Sequence, residues 1–290
     1  MLQYLFEDVP APGEVREIVP GVLWLRMPLP MALDHINLYL IEDSDGWWIV
    51  DTGIALGPTE ALWEQVFDDC LGGKRVKAVV STHYHPDHTG MAGWFCEKWQ
   101  VPFYMTQGEY LSGLAFSRLQ PEHFNWSLEQ HYQRSGYSQE QIDAARETFG
   151  GFGKYIKPMP TAYHRLEDGH ALTINGRRWR VVVGRGHSPE HACLYCGALN
   201  LLISGDQVIP RITSNISVMG GEPEANPLKE WLYSLEKLLD TLPADAVVLP
   251  AHNAPFKGLH VRLRQLIEHH EEHLLALEEA CVASGHTAMD

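Results

Sequence analysis

The chain has 290 residues, 45% of them hydrophobic and 20% charged, with a formal net charge of −15. That length supplies one large α/β domain or two small ones with a sizeable core. The acidic balance argues against a long phosphate backbone as partner, because no basic patch offsets it and the densest run, Arg177-Arg178-Trp179-Arg180, reads as a strand. No apolar run reaches the roughly 18 residues of a membrane span, so no membrane partner is expected. Met1 to Pro12 carries acids and no basic residue, unlike a secretory leader. Five scattered cysteines fit free thiols in a reducing cytoplasm, the expected compartment, and the single Cys193-x-x-Cys196 in a strand-like run reads as core packing.

In chain order, Glu17 to Leu29 reads as strand broken by the turn Pro20-Gly21. Ile36 to Ile41 and Trp47 to Val50 are two more strands around an acidic turn, and the second runs into Asp51-Thr52-Gly53. Pro58 to Leu71 carries a helical stripe of Leu62, Val66 and Cys70. Val76 to Val80 is an apolar strand, a helix-compatible segment covers Met91 to Trp99, and Val101 to Thr106 is a short strand. From Gln107 to Pro160 the chain turns polar-aromatic, with Gly-rich breaks, and reads as a helical insertion of lid type. Strands resume at His164 to Glu167, Ala171 to Ile174 and Arg178 to Val183, the last two joined by the turn Asn175-Gly176. They continue at Ala192 to Tyr195 and Leu201 to Ile203. Asn226-Pro227 opens a helix as N-cap and first residue, running to about Leu242. Asp245 to Leu249 is a strand, and a last helix spans about Gly258 to Cys281 with Leu259, Leu263, Leu266, Ile267, Leu274 and Leu277 on one side. Two similar halves, each strands followed by helices, imply two sheets face to face with helices outside. The apolar stripe of the last helix implies core contact, or a homodimer face.

Between the strand Val76 to Val80 and the helix that follows lies Ser81-Thr82-His83-Tyr84-His85-Pro86-Asp87-His88-Thr89-Gly90. A lone histidine is usually a satisfied core or surface residue, but H-x-H-x-D-H directly after an apolar strand is a metal-ligand arrangement. His83 and His85 are two apart, so an extended backbone turns both to one side. Asp87 and His88 follow Pro86, where the chain must turn, and can face a second metal. Imidazole and carboxylate suit zinc, and also iron or manganese. Three further strand ends carry a ligand-type residue before a polar or Gly-rich turn: His187, Asp206 and His252.

With Asp51-Thr52-Gly53, the H-x-H-x-D-H, Gly186-His187-Ser188, Gly205-Asp206 and Ala251-His252 in order over Pro20 to Gly258, the sequence resembles the metallo-β-lactamase fold superfamily. The resemblance implies an α/β fold, a four-layer αββα sandwich, with the site between the sheet edges. It implies a catalytic domain over residues 1–257 containing the 107–160 insertion, then a C-terminal helix and tail over 258–290. By motif, His83, His85 and His187 would hold one metal, Asp87, His88 and His252 a second, and Asp206 would bridge them, giving two zinc ions per chain. Asp51 would orient the ligand loops without binding metal. His191 would play a structural part, as the family commonly has a His near that place.

Asp206, where lactamases of the family use Cys, resembles the hydrolase branch of hydroxyacylglutathione hydrolases and lactonases. The lactonases place a Tyr three residues beyond the bridging Asp, and here that residue is Ile209. The basic residues that grip glutathione have only Lys257 and Arg262 as nearby candidates. The implied reaction is attack of a metal-activated hydroxide on a carboxylic ester, thioester or lactone, with Asp87 as ligand and catalytic proton shuttle. The aromatic insertion points to a small-molecule substrate with an apolar acyl group. A mononuclear iron persulfide dioxygenase carries the same motifs and is the alternative reading; a nuclease of this fold is disfavoured by the charge.

Overall fold

The computed structural model describes residues 1–282 and 284–289. The strand β1 (Gln3–Tyr4) is followed by β2 (Val15–Val19), β3 (Val22–Pro28), β4 (His35–Glu42) and β5 (Gly46–Val50), then helix α1 (Thr59–Asp69) and strand β6 (Arg75–Val80). Next come α2 (Pro86–Thr89), α3 (Ala92–Trp99) and β7 (Phe103–Thr106). The predicted insertion contains α4 (Gln107–Phe116), α5 (Trp126–Arg134) and α6 (Gln139–Thr148), with short 3-10 turns before α5 and after α6. The second half runs through β8 (His164–Leu166), β9 (Ala171–Ile174), β10 (Arg177–Gly184), β11 (His191–Cys196) and β12 (Leu201–Gly205). It ends with α7 (Pro227–Thr241), β13 (Val247–Pro250), β14 (Phe256–Lys257) and α8 (Leu259–Cys281).

The strands form two seven-stranded sheets, ordered β2-β3-β4-β5-β6-β7-β8 and β1-β14-β13-β12-β11-β10-β9. Strand alternation decides the layering, because successive side chains leave opposite faces. Val22, Trp24, Tyr39 and Ile41 turn inward to meet Val181, Leu194, Leu201, Ile203 and Leu249 of the other sheet. Their neighbours Leu23, Leu25, Leu38 and Leu40 turn outward onto Trp63, Val66, Phe67 and Phe95 of α1 and α3. On the far side Val182, Cys193, Leu202 and Val248 pack under Trp231, Leu235, Leu263 and Leu266 of α7 and α8. Both sheets are thus buried on both faces, which makes the four-layer αββα sandwich expected from the sequence. Each large side chain so buried contributes about 1.5–3 kcal/mol.

Local rules hold where they were read. Asn226 caps α7 by accepting from the Lys229 N–H at 3.0 Å, with Pro227 at the first helical position. Cys193 and Cys196 are buried on opposite faces of β11 and do not pair. The far half of α8 departs from the expectation: Leu259, Leu263 and Leu266 are buried, but Leu274 and Leu277 are 43% and 59% exposed. No helix among the described residues is long and apolar enough to cross a membrane.

Candidate metal centre

All five motif segments leave the C-terminal ends of core strands at one edge of the sandwich: Asp51 after β5, residues 81–90 after β6, His187 after β10, Asp206 after β12 and His252 after β13. The loops are fastened across the sheets. Ala192 N–H donates to Thr82 O at 2.8 Å, and the Asn37 N–H, side-chain amide and Tyr39 hydroxyl hold Ala251 O and Pro250 O at 2.6–2.9 Å. Two motif glycines are required sterically. At Gly205 (φ +49°) a Cβ would come within 2.5 Å of the His191 ring, and at Gly186 (φ +100°) within 2.6 Å of Trp231.

Hydrogen bonds fix which nitrogen each histidine presents. Asp51, in the left-handed region at φ +61°, accepts from the Thr82 N–H at 2.7 Å and from His88 Nδ1 at 2.8 Å. His252 Nδ1 donates to His35 O and His187 Nδ1 to Asn215 O, each at 2.8 Å. Those three rings therefore turn an Nε2 lone pair inward. His83 Nε2 lies 2.9 Å from His85 Nδ1 and 3.2 Å from His187 Nε2, so three imidazole nitrogens converge on one point. The two oxygens of Asp206 face different groups. Oδ2 lies 3.3 Å from His187 Nε2, while Oδ1 lies 3.4 Å from His252 Nε2 and 3.5 Å from His88 Nε2. Asp87 Oδ2 is 3.5 Å from His252 Nε2 and 3.7 Å from His88 Nε2. The seven residues thus form two clusters able to hold a metal ion, His83/His85/His187/Asp206 and Asp87/His88/His252.

The donor set fits divalent cations on its own evidence. His88 Nε2 and Asp206 Oδ1 are buried with no hydrogen-bond partner, an arrangement whose cost a cation between them would remove. The donors are nitrogen and oxygen without thiolate, as suits zinc, iron or manganese. Burial, with the neighbouring histidines, holds the His83 and His85 pKa values well below the ordinary imidazole value, so both are neutral and keep their lone pairs. Burial works against ionised Asp206, but the facing imidazoles of His252 and His88 and the His187 hydrogen bond outweigh it and hold the carboxyl well below its usual range.

Three residues outside the predicted set shape the site. His191, buried, accepts the Asp206 N–H on Nε2 at 3.1 Å, a structural part consistent with its exclusion from the ligands. Ser214 hydroxyl donates to Asp206 O. Glu109, at the start of α4, accepts from the Tyr84 N–H at 3.0 Å, the Ser188 hydroxyl at 2.6 Å and the Glu190 N–H at 2.7 Å, joining the two histidine-bearing loops. Burial pushes its carboxyl up to about 7 against those three hydrogen bonds. An acid in the first turn of a helix is unremarkable in sequence, so Glu109 gave no signal there. Tyr84 stacks on Phe116 at 5.3 Å. Arg262 directs its donors to Ile209 O and Ile212 O at 2.6 and 2.8 Å, which makes it an anchor of the 209–212 loop. Beside His187 a cleft of about 460 Å³ opens, walled by Tyr84, Phe116, Arg185, Met219 and Glu230.

Comparison with known proteins shows the family. A "Beta-lactamase domain protein" from Burkholderia ambifaria is 42% identical with a TM-score of 0.89, over 99% of this chain and 86% of that one. The "Probable metallo-hydrolase YqgX" of Bacillus subtilis (strain 168) is 26% identical over 79% of this chain and 89% of its own length. TTHA1623, solved in a di-iron-bound form, is 25% identical with a TM-score of 0.55, over 82% of this chain and 97% of that one. The family model described as "Metallo-beta-lactamase superfamily" matches residues 32–252, and the chain belongs to that superfamily.

Proposed function

We propose that the protein is a metal-dependent hydrolase of a small molecule, with zinc at two positions and a carboxylic ester, thioester or lactone as substrate. The observation that carries this reading is Asp206, whose two carboxylate oxygens are aimed at separate, complete donor clusters. In this assignment His83, His85 and His187 serve one position, Asp87, His88 and His252 the other, and Asp206 both. When bound, such a pair of cations supplies Lewis-acid activation of water and of the scissile carbonyl near neutral pH. Asp51 holds His88 in the tautomer that keeps Nε2 free, and the Asn215 and His35 carbonyls do the same for His187 and His252. Asp87 turns Oδ2 toward the histidines and its side chain keeps 19% exposure, which supports assigning it the proton-shuttle role. Tyr84, Phe116 and Met219 give the cleft beside His187 an apolar wall suited to an acyl group. Of the 107–160 segment, Ser112 and Phe116 of α4 line the cleft, and α5 approaches the loop beyond Asp206 so closely that a Cβ on Gly220 would lie 2.6 Å from Leu128, which supports a lid role for the segment. Iron in place of zinc is the second reading, favoured by the di-iron form of TTHA1623.

Metal content by plasma mass spectrometry, followed by turnover on aryl esters, thioesters and lactones, tests both readings. About two zinc per chain with hydrolysis of one of these classes is expected. Two irons would move the assignment to the second reading, and a protein that binds no metal after reconstitution would end both. His85→Ala should remain folded by circular dichroism, lose metal, and lose activity by at least about 100-fold. Full metal and full activity in that variant would remove His85 from the ligand set.

A further inference from the structure

A second cavity of about 710 Å³ lies against the loop that carries His252. Arg26 and Arg211 line it, together with His35, Asn253, Tyr4 and one acid, the exposed Glu7. Neither arginine has a carboxylate within 4.0 Å among the described residues, in a chain of net charge −15 that pairs Arg16, Lys77, Arg146 and Lys237 with acids. Arg26 is half-buried in β3. Its Nε donates to Asn37 Oδ1 and its Nη2 to Asn253 O, each at 3.3 Å, and among the described residues Nη1 makes no hydrogen bond. Arg211 lies with its guanidinium 5.3 Å from the Tyr4 ring centroid and donates to the Tyr4 hydroxyl at 3.2 Å. Arg262 fastens the carbonyls on either side of Arg211, so this cation sits on a pinned loop.

A half-buried guanidinium on which the nearest named acid, Asp34, acts only from beyond 4.0 Å is costly to keep, and two facing one cavity match the fork geometry of a carboxylate or phosphate. The cavity wall is tied to the metal centre through short contacts. His35 O accepts from His252 Nδ1, His35 Nε2 accepts the Asn253 N–H at 2.8 Å, and the His35 and His252 rings are 6.0 Å apart. We propose that this cavity seats an anionic group, a carboxylate or phosphate, held by Arg26 and Arg211 at the His252 side of the metal centre. The inference rests on the hydrolase reading only for the source of that anion, which is either the far end of the substrate or a free small anion.

The test uses the metal-loaded full chain and two probes. Glutarate and inorganic phosphate are titrated calorimetrically into wild type, Arg211→Gln and the Arg26→Gln/Arg211→Gln double variant. Hydrolysis of mono-4-nitrophenyl glutarate is compared with that of 4-nitrophenyl butyrate, its uncharged counterpart. Binding weakened about tenfold in Arg211→Gln and further in the double variant is expected, with Arg211→Lys recovering part of it. A parallel fall of about tenfold in the kcat/KM ratio of charged to neutral ester identifies the substrate as the source. Weakened phosphate binding with that ratio unmoved identifies a free anion. Equal binding in wild type and double variant, as when the anion sits on the metals alone, or no binding by wild type, overturns the proposal. Because the calorimetry needs no turnover, a chain that hydrolyses none of the esters would still decide it.

Discussion

Glu109 is the side chain on which the two histidine-bearing loops meet, and its removal is felt twice. Glu109→Ala leaves the Tyr84 N–H, the Ser188 hydroxyl and the Glu190 N–H without their acceptor in a buried place. Unpaired buried donors cost about 1–3 kcal/mol each before relaxation, so a loss of roughly 2–4 kcal/mol in urea unfolding is expected. The same change frees the segments holding His83, His85 and His187, and an outer partner of this sort is worth about 10–100-fold in metal affinity. Competition with a chelator measures that second effect separately. Glu109→Gln, which keeps one carbonyl acceptor, should fall between wild type and Ala in both. Wild-type metal affinity in the Ala variant would show that the loops hold their shape without this carboxylate. The contrast with the ligand candidates explains what sequence can carry at this scale. A metal needs particular residue types at particular strand ends, so His83 through His252 stand out from the string. Glu109, Arg26 and Arg211 act through contacts with chain distant in sequence, and nothing local distinguishes them from ordinary surface charge.

Among the elements, the turn between β4 and β5 ties the two sheets together at the end away from the site. Asp43 Oδ1 accepts from the Ser44 N–H at 2.8 Å and from the Asn175 N–H of the β9–β10 turn at 3.0 Å, while Oδ2 accepts from Lys77 at 2.8 Å. Burial works against its ionised form, but Lys77 and the two backbone donors outweigh this and lower the carboxyl to about 2. A folded value below the unfolded one stabilises the native state above about pH 4 and loses that effect as pH falls through about 2. Asp43→Asn should therefore unfold with about 1–2 kcal/mol less stability at pH 7. The gap should persist at pH 5 and shrink between pH 4 and pH 2 in urea titrations. A gap already closed at pH 5 would contradict the assignment. The turn it reaches was legible, since Asn175-Gly176 takes positive φ at both residues, 49° and 69°, as a tight hairpin demands. The two-residue strands β1 and β14 were not, because a pairing that short leaves no periodicity. The stripe along α8 was legible in phase but not in extent. Its far half outlasts the sheet it covers, so Leu274 and Leu277 meet solvent.

At the scale of the whole molecule, the site is a joint between two sheets. His83, His85, Asp87 and His88 follow β6 of one sheet, while His187, Asp206 and His252 follow strands of the other. Each of the two candidate clusters takes residues from both sheets. Cations there would bind the folded chain and not the unfolded one, so each would stabilise folding by about 4 kcal/mol at a free concentration 1,000 times its Kd. For a chain of this size about 2–4 °C of Tm accompanies each kcal/mol, so stripping the metal with a chelator should lower Tm by roughly 10 °C for each cation lost in scanning calorimetry. The loss should be local as well as global. Without cations the buried His88 Nε2 and Asp206 Oδ1 are left unpartnered, and the loops at 81–90, 185–191, 206–214 and 250–253 should gain hydrogen exchange. The exposed half of α8 should exchange alike in both forms. A metal-free protein with unchanged Tm and unchanged exchange in these loops would mean that hydrogen bonds such as Ala192 N–H to Thr82 O close the sandwich by themselves. The seven side chains would then bear on chemistry alone.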